Sequence, residues 1–312
     1  MRYFFVANTL HRHHEQNLRR CIDYLKAKKH EVALQYTRYA GHAKILAREA
    51  AREGWDVIVG AGGDGTLHEV LNGMIGSSSL LALFPMGTGN VFAREMRLPR
   101  HWKAIASMLE QCETVWLDTG KVDNTHFLLM LSAGFDAYAI QMLSSLEGEN
   151  RKRGLRTVFG KFAYVFGGIQ ALGRYTFPPI TVSVNNERFT ASFVLISNIQ
   201  RYGRYFKITP AASPIDGKLD LFLYQEMGRW NLIRLVLGVI SSLWHPYETR
   251  TMFTQSRSLT CTEVTLTSTE PVLSQLDGEL FKPLPLHITI SPHSVQMVLP
   301  SSIIKKYQTL PQ

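Results

Sequence analysis

At 312 residues, 45% apolar and 19% charged, the chain is long enough for one large or two medium globular domains, and its ordinary composition excludes a fibrous or disordered protein. A net charge of +9 favours an anionic partner, meaning nucleic acid, an acidic membrane or an anionic substrate, and the lack of any DNA- or RNA-binding motif argues against the first. Cys21, Cys112 and Cys261 stand alone, which excludes a C-x-x-C metal site and fits a reducing compartment, and the longest apolar stretch, 232–244, is interrupted by Arg234 and too short to span a bilayer.

Residues 2–7 are too short for a signal core and read as a first strand. A helix at 14–29 follows, with Leu18, Ile22 and Leu25 on one face, then a strand at 31–37 and a helix at 42–53. The strand at 55–59 leads into a glycine loop at 60–65 and a helix at 66–74. A fourth strand at 80–84 precedes helices at 91–96 and 99–111, with Pro99 placed in a first helical turn. Strands alternating with helices over short links predict an α/β domain built on an open parallel sheet, with ligands bound outside the carboxyl ends of its strands. The loops at Asn8, Thr37, 60–65 and 87–90 all fall at those ends.

From residue 115 onward short strands dominate: 115–122, 127–132, 180–184, 189–197, 205–209, 219–224, 263–266 and 286–290. Asn185-Asn186 signals a hairpin, and helical inserts are predicted at 157–172 and 230–242. This second part is expected to be an all-β sandwich. The predicted boundaries are 1–118 for the α/β domain and 119–293 for the sandwich, with a closing strand at 294–300 returning to the first domain and a loose polar tail at 301–312.

Chemistry concentrates in Asp56-Val-Ile-Val-Gly-Ala-Gly-Gly-Asp-Gly-Thr-Leu-His-Glu-Val-Leu-Asn-Gly73. A strand, a glycine turn and a helix aim free backbone N–H groups and a positive helix end at one spot, where a phosphate is stabilised. Gly60, Gly62 and Gly65 satisfy G-x-G-x-x-G, but no acidic residue follows about 20 positions later to hold a ribose, and no Gly-Lys-Ser/Thr follows for a Walker A loop. Asp64 inside such a loop would repel phosphate without a cation between them, so it points to a magnesium nucleotide. The plainer alternative is a tight turn whose glycines serve packing. A second segment, Pro85-Met-Gly-Thr-Gly-Asn-Val-Phe-Ala-Arg-Glu95, offers the Gly87 and Gly89 amides and the Thr88 hydroxyl to phosphate or ribose, with Asn90 set to cap the next helix.

Together, Gly62–Gly73 and Gly87–Arg94 resemble the nucleotide loops of the diacylglycerol kinase catalytic family, which also holds sphingosine, ceramide and many bacterial lipid kinases. The resemblance implies Mg-ATP held by Asn8, Thr37, Gly62, Gly63, Asp64, Gly65, Thr66, Glu69, Gly87, Thr88 and Asn90. It places Arg94 and Asp118 toward the substrate, where Asp118 orients a hydroxyl or pairs with Arg94, the alternative being an ordinary turn acid. Ser213-Pro-Ile-Asp-Gly-Lys-Leu-Asp220 resembles the family's D-G-x-L-D turn, and implies magnesium ligands at Ser213, Asp216 and the Lys218 carbonyl. Gln275-Leu-Asp-Gly-Glu279 matches a D-G-E segment, which implies that Glu279 is the general base while Asp64 serves catalysis near the metal. Two departures stand out: Val91 replaces the Asp of many diacylglycerol kinases, and Asn8-Thr-Leu-His11 lacks the usual glycine.

The expected protein is thus an ATP- and magnesium-dependent lipid kinase. It is expected to be cytoplasmic and peripheral to an anionic inner membrane face, to bind no nucleic acid, and to leave room for a homodimer. The basic run 151–156 is the expected docking element. An NAD-kinase-like small-molecule kinase and a non-catalytic lipid or nucleotide regulator stay open beside it.

Overall fold

The computed structural model describes residues 1–8, 12–150, 173–203, 206–231, 233–234 and 256–308. The first half alternates strand and helix: β1 (Arg2–Ala7), α1 (Arg12–Ala27), β2 (Glu31–Tyr36), α2 (His42–Arg52), β3 (Val57–Gly62), α3 (Asp64–Met74) and β4 (Leu80–Pro85). These strands lie parallel in the order β2-β1-β3-β4. Every residue of β3 is buried, as is nearly all of β1, which is why both read as continuous apolar runs rather than alternating ones. Helices α1 and α5 (Trp102–Gln111) pack together, as do α2 and α3. The five-residue helix α4 (Val91–Glu95) lies between β4 and α5.

Three boundaries differ from the sequence reading. Strand β3 extends three residues further, because Gly60 pairs with Val6 on one side and Leu83 on the other, and Gly62 with Pro85. The expected six-residue glycine loop therefore shrinks to a single connecting residue, Gly63, and α3 begins at Asp64. Pro99 lies outside any helix; α5 starts at Trp102, where the His101 side chain accepts from the Lys103 N–H at 3.3 Å.

The second half comprises β5 (Thr114–Val122), β6 (Thr125–Phe127), β7 (Met130–Gly134), α6 (Phe135–Asn150), β8 (Ile180–Val184), β9 (Glu187–Ala191), β10 (Phe193–Ser197), β11 (Arg201–Tyr202) and β12 (Phe206–Lys207). It continues with β13 (Leu219–Tyr224), β14 (Ser256–Cys261), β15 (Glu263–Thr267), β16 (Ser274–Leu276), β17 (Glu279–Leu280), β18 (Leu286–Val298) and α7 (Ser301–Gln308). An antiparallel sheet in the order β14-β13-β10-β7-β16-β17 packs a second apolar core, from Leu131 and Ile196 to Leu221 and Leu276, against β8, β15 and the first part of β18. Asn185 and Asn186 both take positive φ, 49° and 63°, in the hairpin between β8 and β9 that their sequence announces.

One strand joins the halves. The amino-terminal part of β18 pairs with β15, its Met297 pairs with Leu81 of β4, and it runs beside β5 with an irregularity between Ser291 and Val295. The parallel sheet is thereby continuous with one layer of the sandwich, as a ten-stranded sheet.

Helix α6 was not anticipated. Its apolar residues, such as Phe135, Ala137, Tyr138 and Ile140, are spread around the helix rather than gathered on one face, so no 3.6-residue stripe marks it. The expected loose tail is instead helix α7, which buries Ile303, Ile304 and Tyr307 against the first core. The predicted strand at 205–209 is only the two-residue β12, paired with β11. The insert at 157–172 and the basic run 151–156 lie outside the described residues, as does most of the insert at 230–242.

Candidate active site

The carboxyl ends of β1 to β4 present Asn8, Thr37, Gly62–Gly63 and Gly87–Thr88 side by side. The Asn8 N–H donates to Ala61 O at 2.9 Å, and the Thr37 N–H to Ala7 O at 2.8 Å. The two glycine segments lock together: Met86 N–H donates to Gly62 O at 2.8 Å, and a Cβ on Gly87 would stand 2.5 Å from Gly63 Cα. No side chain fits that approach at Gly87, which accounts for glycine there, while a Cβ on Gly63 would stand 3.3 Å from Gly87 Cα, a tight contact. Beyond Gly63, the N–H groups of Asp64, Gly65 and Thr66 form the first turn of α3, where a helix has no internal acceptors. The Thr66 hydroxyl stands over Gly62, close enough that a Cβ there would lie 2.3 Å from it.

Asp64 joins the two segments. Its carboxylate oxygens accept from the Val91 N–H at 2.9 Å and the Phe92 N–H at 3.0 Å, so it caps α4. Burial pushes its pKa up, while those two hydrogen bonds oppose the rise. The expected cap, Asn90, does not act as one. It takes a left-handed conformation (φ 46°), its amide donates to Gly87 O at 2.6 Å, and its Oδ1 is buried without a partner. Glu69 is also a brace: its carboxylate accepts from the Gly41 N–H at 2.8 Å and the Ala43 N–H at 2.9 Å, fixing the start of α2 and the loop after Thr37.

Glu279 arrives from the other half of the molecule. Asp277 and Gly278 form the two-residue turn between β16 and β17, with φ of 51° and 94°, the conformation for which Asp-Gly is suited. Asp277 is buried; its Oδ1 accepts from the Leu129 and Met130 N–H groups at 2.9 and 3.0 Å, and its Oδ2 from Leu128 N–H at 3.2 Å. Gly278 N–H donates to Gln275 Oε1 at 2.8 Å, and Gln275 Nε2 donates to Ser132, whose hydroxyl donates in turn to the half-buried Asp136. So held, the turn carries the Glu279 carboxylate onto the first turn of α3, where a Cβ on Gly65 would stand 2.5 Å from Glu279 Oε1. Glu279 itself is exposed to solvent.

Helix α3 is fastened to this turn and to β6 by two residues whose roles the sequence did not show. His68 Nδ1 lies 3.1 Å from Asp277 Oδ2. Burial pulls the His68 pKa down, but the hydrogen bond and charge of Asp277, with Glu279 and Glu69 nearby, override it and the net shift is upward. Asn72 donates to His126 O at 2.8 Å and accepts from His126 N–H at 2.8 Å, binding α3 to β6. Both belong to the Gly62–Gly73 motif, but position along a helix cannot reveal a partner from a remote hairpin.

The structure corrects the expectation for Asp118. It is buried, its Oδ1 accepts from His293 N–H at 2.8 Å and its Oδ2 from Gly217 N–H at 2.7 Å. It braces the 213–218 turn against β18. Arg94 is half-buried and its Nε donates to Gly89 O at 3.0 Å. In the 213–218 turn, Lys218 N–H donates to Asp216 Oδ1 at 3.1 Å, and the buried Ser213 Oγ has no hydrogen-bond partner. Among the described residues no group of three or more His, Cys, Asp or Glu side chains is placed to hold a metal. Among them, too, no helix is long and apolar enough to cross a membrane.

Comparison with known proteins agrees with this geometry. Residues 2–122 match the family model described as the diacylglycerol kinase catalytic domain, and residues 130–299 match the YegS C-terminal NAD kinase beta sandwich-like domain. The diacylglycerol kinase of Bacillus subtilis (strain 168) is 26% identical over 281 residues, covering 87% of this chain and 86% of its own. That of Staphylococcus haemolyticus (strain JCSC1435) is 25% identical over 286 residues, covering 90% and 82%. A crystal structure of a diacylglycerol kinase from Bacillus anthracis str. Sterne shares the fold, with a TM-score of 0.70 at 18% identity over 97% of this chain and 98% of that one.

Proposed function

Since the chain belongs to the diacylglycerol kinase family, and is a lipid kinase, we propose that it transfers the γ-phosphoryl of Mg-ATP to a hydroxyl of diacylglycerol or a related lipid. The observation that carries this reading is the Glu279 carboxylate standing on the first turn of α3, beside two interlocked glycine segments. A nucleotide fits the residues present. The first-turn N–H groups of Gly65 and Thr66 suit phosphate oxygens. The orphaned Asn90 Oδ1 is an acceptor, and so suits a sugar hydroxyl or a metal-bound water rather than a phosphate.

In this reading the glycine segments and Thr88 hold the phosphate chain. Glu279 accepts the proton of the acceptor hydroxyl as its oxygen bonds to the γ-phosphorus and the bond to the β-phosphate oxygen breaks. Magnesium bound with the nucleotide would neutralise phosphate charge, and Asp64, whose oxygens also cap α4, is the carboxylate that would help hold it. A second, structural magnesium would be held by Ser213 Oγ, Asp216 and the Lys218 carbonyl; the unpartnered Ser213 Oγ supports that donor set. Asp277, Gln275 and His68 are positioning residues that keep Glu279 in place. The +9 charge supports peripheral docking on an anionic membrane face.

The test is transfer of label from γ-labelled ATP, with magnesium, to diacylglycerol, sphingosine, ceramide or phosphatidylglycerol in mixed micelles. Label in a lipid product is expected. ATP turnover without lipid labelling, or no nucleotide binding at all, would overturn the proposal.

A further inference from the structure

Behind the β16–β17 turn, a chain of hydrogen bonds leads from the residue before Glu279 into the sandwich and ends on a carboxylate that the reaction does not use. Gly278 N–H donates to Gln275 Oε1 at 2.8 Å, Gln275 Nε2 to Ser132 Oγ at 2.7 Å, and the Ser132 hydroxyl to Asp136 Oδ2. Ser132 stands opposite Gln275 in the pairing of β7 with β16, and β7 runs directly into α6, which brings Asp136 back to Ser132. Asp136 Oδ2 also accepts from the Tyr202 hydroxyl at 2.9 Å, and Oδ1 from Ala137 N–H at 2.7 Å.

Among the described residues no cationic side chain is paired with Asp136. Desolvation pushes its pKa up, and the bonds from Ser132, Tyr202 and Ala137 oppose the rise, so these donors are what favours its charged form.

The chain has a direction, and Asp136 sets it. A carboxylate only accepts, so Ser132 spends its one proton on Asp136 and faces Gln275 with lone pairs. Gln275 then offers its NH2 to Ser132, which leaves its carbonyl oxygen for the Gly278 N–H. The reversed amide would set its NH2 against that N–H and its oxygen against the Ser132 lone pairs. Ser132 and Gln275 are both buried, so water does not replace a lost partner and the mismatch falls on the turn. Gly278 precedes Glu279, so a shift there moves the carboxylate that stands over Gly65.

We propose that Asp136 is a positioning residue for the reaction: through Ser132 and Gln275, its carboxylate dictates the hydrogen-bond direction that fixes the Gly278 turn and with it the place of Glu279. The proposal rests on the kinase reading above for the task of Glu279.

The test moves the carboxylate along the chain. Asp136→Asn puts an NH2 where Ser132 and Tyr202 now donate, which turns the Ser132 hydroxyl toward Gln275 and reverses the chain. Gln275→Glu, added to it, gives an acceptor to both the turned hydroxyl and the Gly278 N–H, and restores the net charge. Alone, Gln275→Glu leaves two carboxylates on the single Ser132 proton. Two readouts are taken on the full chain: hydrogen–deuterium exchange of residues 277–280 by mass spectrometry, and kcat and KM with γ-labelled ATP, magnesium and the best acceptor lipid. Each single variant is expected to speed that exchange about tenfold, the equivalent of one lost hydrogen bond, and to lower kcat by about 10²-fold, the worth of a 1 Å misplacement, with KM for ATP unchanged. The double variant is expected to bring both back close to those of the unaltered protein. Tyr202→Phe takes a donor from the same carboxylate without changing what Ser132 can offer, and is expected to alter neither. A defect in Asp136→Asn that Gln275→Glu does not repair, or an equal defect in Tyr202→Phe, gives Asp136 a packing role only and overturns the proposal, as does normal exchange in Asp136→Asn. Should Asp136→Asn fail to fold, Ser132→Ala cuts the chain without adding a donor: faster exchange of residues 277–280 in that variant supports the proposal, and unchanged exchange overturns it. Exchange needs no turnover, so the expected exchange pattern in a protein that transfers no phosphoryl supports the chain and counts against the kinase reading instead.

Discussion

Gly65→Ala separates catalysis from stability. A Cβ at this position would stand 2.5 Å from Glu279 Oε1, where ordinary contact needs about 3.5 Å, so the carboxylate must withdraw by about 1 Å. The retreat is cheap for the fold, because the clash is with the far end of an exposed side chain. Alanine in place of glycine in a helix adds up to ~1 kcal/mol of stability. The cost falls on chemistry: a 1 Å misplacement of a reacting group is worth about 10²-fold in rate, or ~2.7 kcal/mol. Urea denaturation beside a steady-state lipid phosphorylation assay measures both. The expected outcome is an unchanged or raised midpoint, an unchanged KM for ATP, and a kcat lowered by about 10²-fold. A variant with normal kcat would refute the placement of Glu279 as the base; one that is simply unstable would refute the assignment of the clash to a movable side chain.

Other consequences follow from the same contacts. Asp64→Ala removes the acceptor for two N–H groups at the start of α4, so it is expected to cost about 1–3 kcal/mol in urea denaturation as well as phosphorylation activity; full stability would show that Asp64 does not cap α4. Ile303→Ala empties a 2% exposed site in α7 and is expected to lower stability by about 2–4 kcal/mol while leaving kcat unchanged, which would distinguish a packed helix from a loose tail. Burial, with Lys121 nearby, pulls the His126 pKa down to about 4. The unfolded chain takes up this proton below about pH 6.5 and the folded protein only near pH 4, so the stability His126 contributes is present above pH 6.5 and lost as pH falls toward 4. His126→Gln is expected to flatten the dependence of the urea midpoint on pH between 6.5 and 4, and an unaltered slope would assign acid sensitivity elsewhere.

The parallel sheet was legible because β1 and β3 are buried on both faces, which leaves apolar runs that few other structures explain, and because the turns between strand and helix are short. The glycine segments and the Asp277-Gly278-Glu279 turn were legible as a motif, since the glycines and left-handed positions leave a local mark. What the motif could not show is which partner each side chain takes. Asp64 looked like a metal carboxylate, and only the fold brings the N–H groups of Val91 and Phe92 to it. Asn90 has the residue type of a helix cap, but its left-handed backbone turns the side chain toward Gly87 and leaves the capping to Asp64. Asp118 was expected to orient a substrate hydroxyl or pair with Arg94, yet the 213–218 turn and β18 close over it. His68 and Asn72 find their partners on β6 and the β16–β17 turn, distances along the chain that helical spacing does not encode. In α7, by contrast, the signal was present: Ile303, Ile304 and Tyr307 stand at i, i+1 and i+4 and form one apolar face.

The central claim is that Glu279 takes the proton of the lipid hydroxyl during transfer from ATP, and Glu279→Gln tests it with the least change in shape. With γ-labelled ATP, magnesium and the best acceptor of the lipid panel in mixed micelles, kcat is expected to fall by about 10²–10⁴-fold while the affinity for ATP stays at its normal value. A Glu279→Gln protein that keeps its kcat, or that loses ATP binding in place of turnover, would contradict the account.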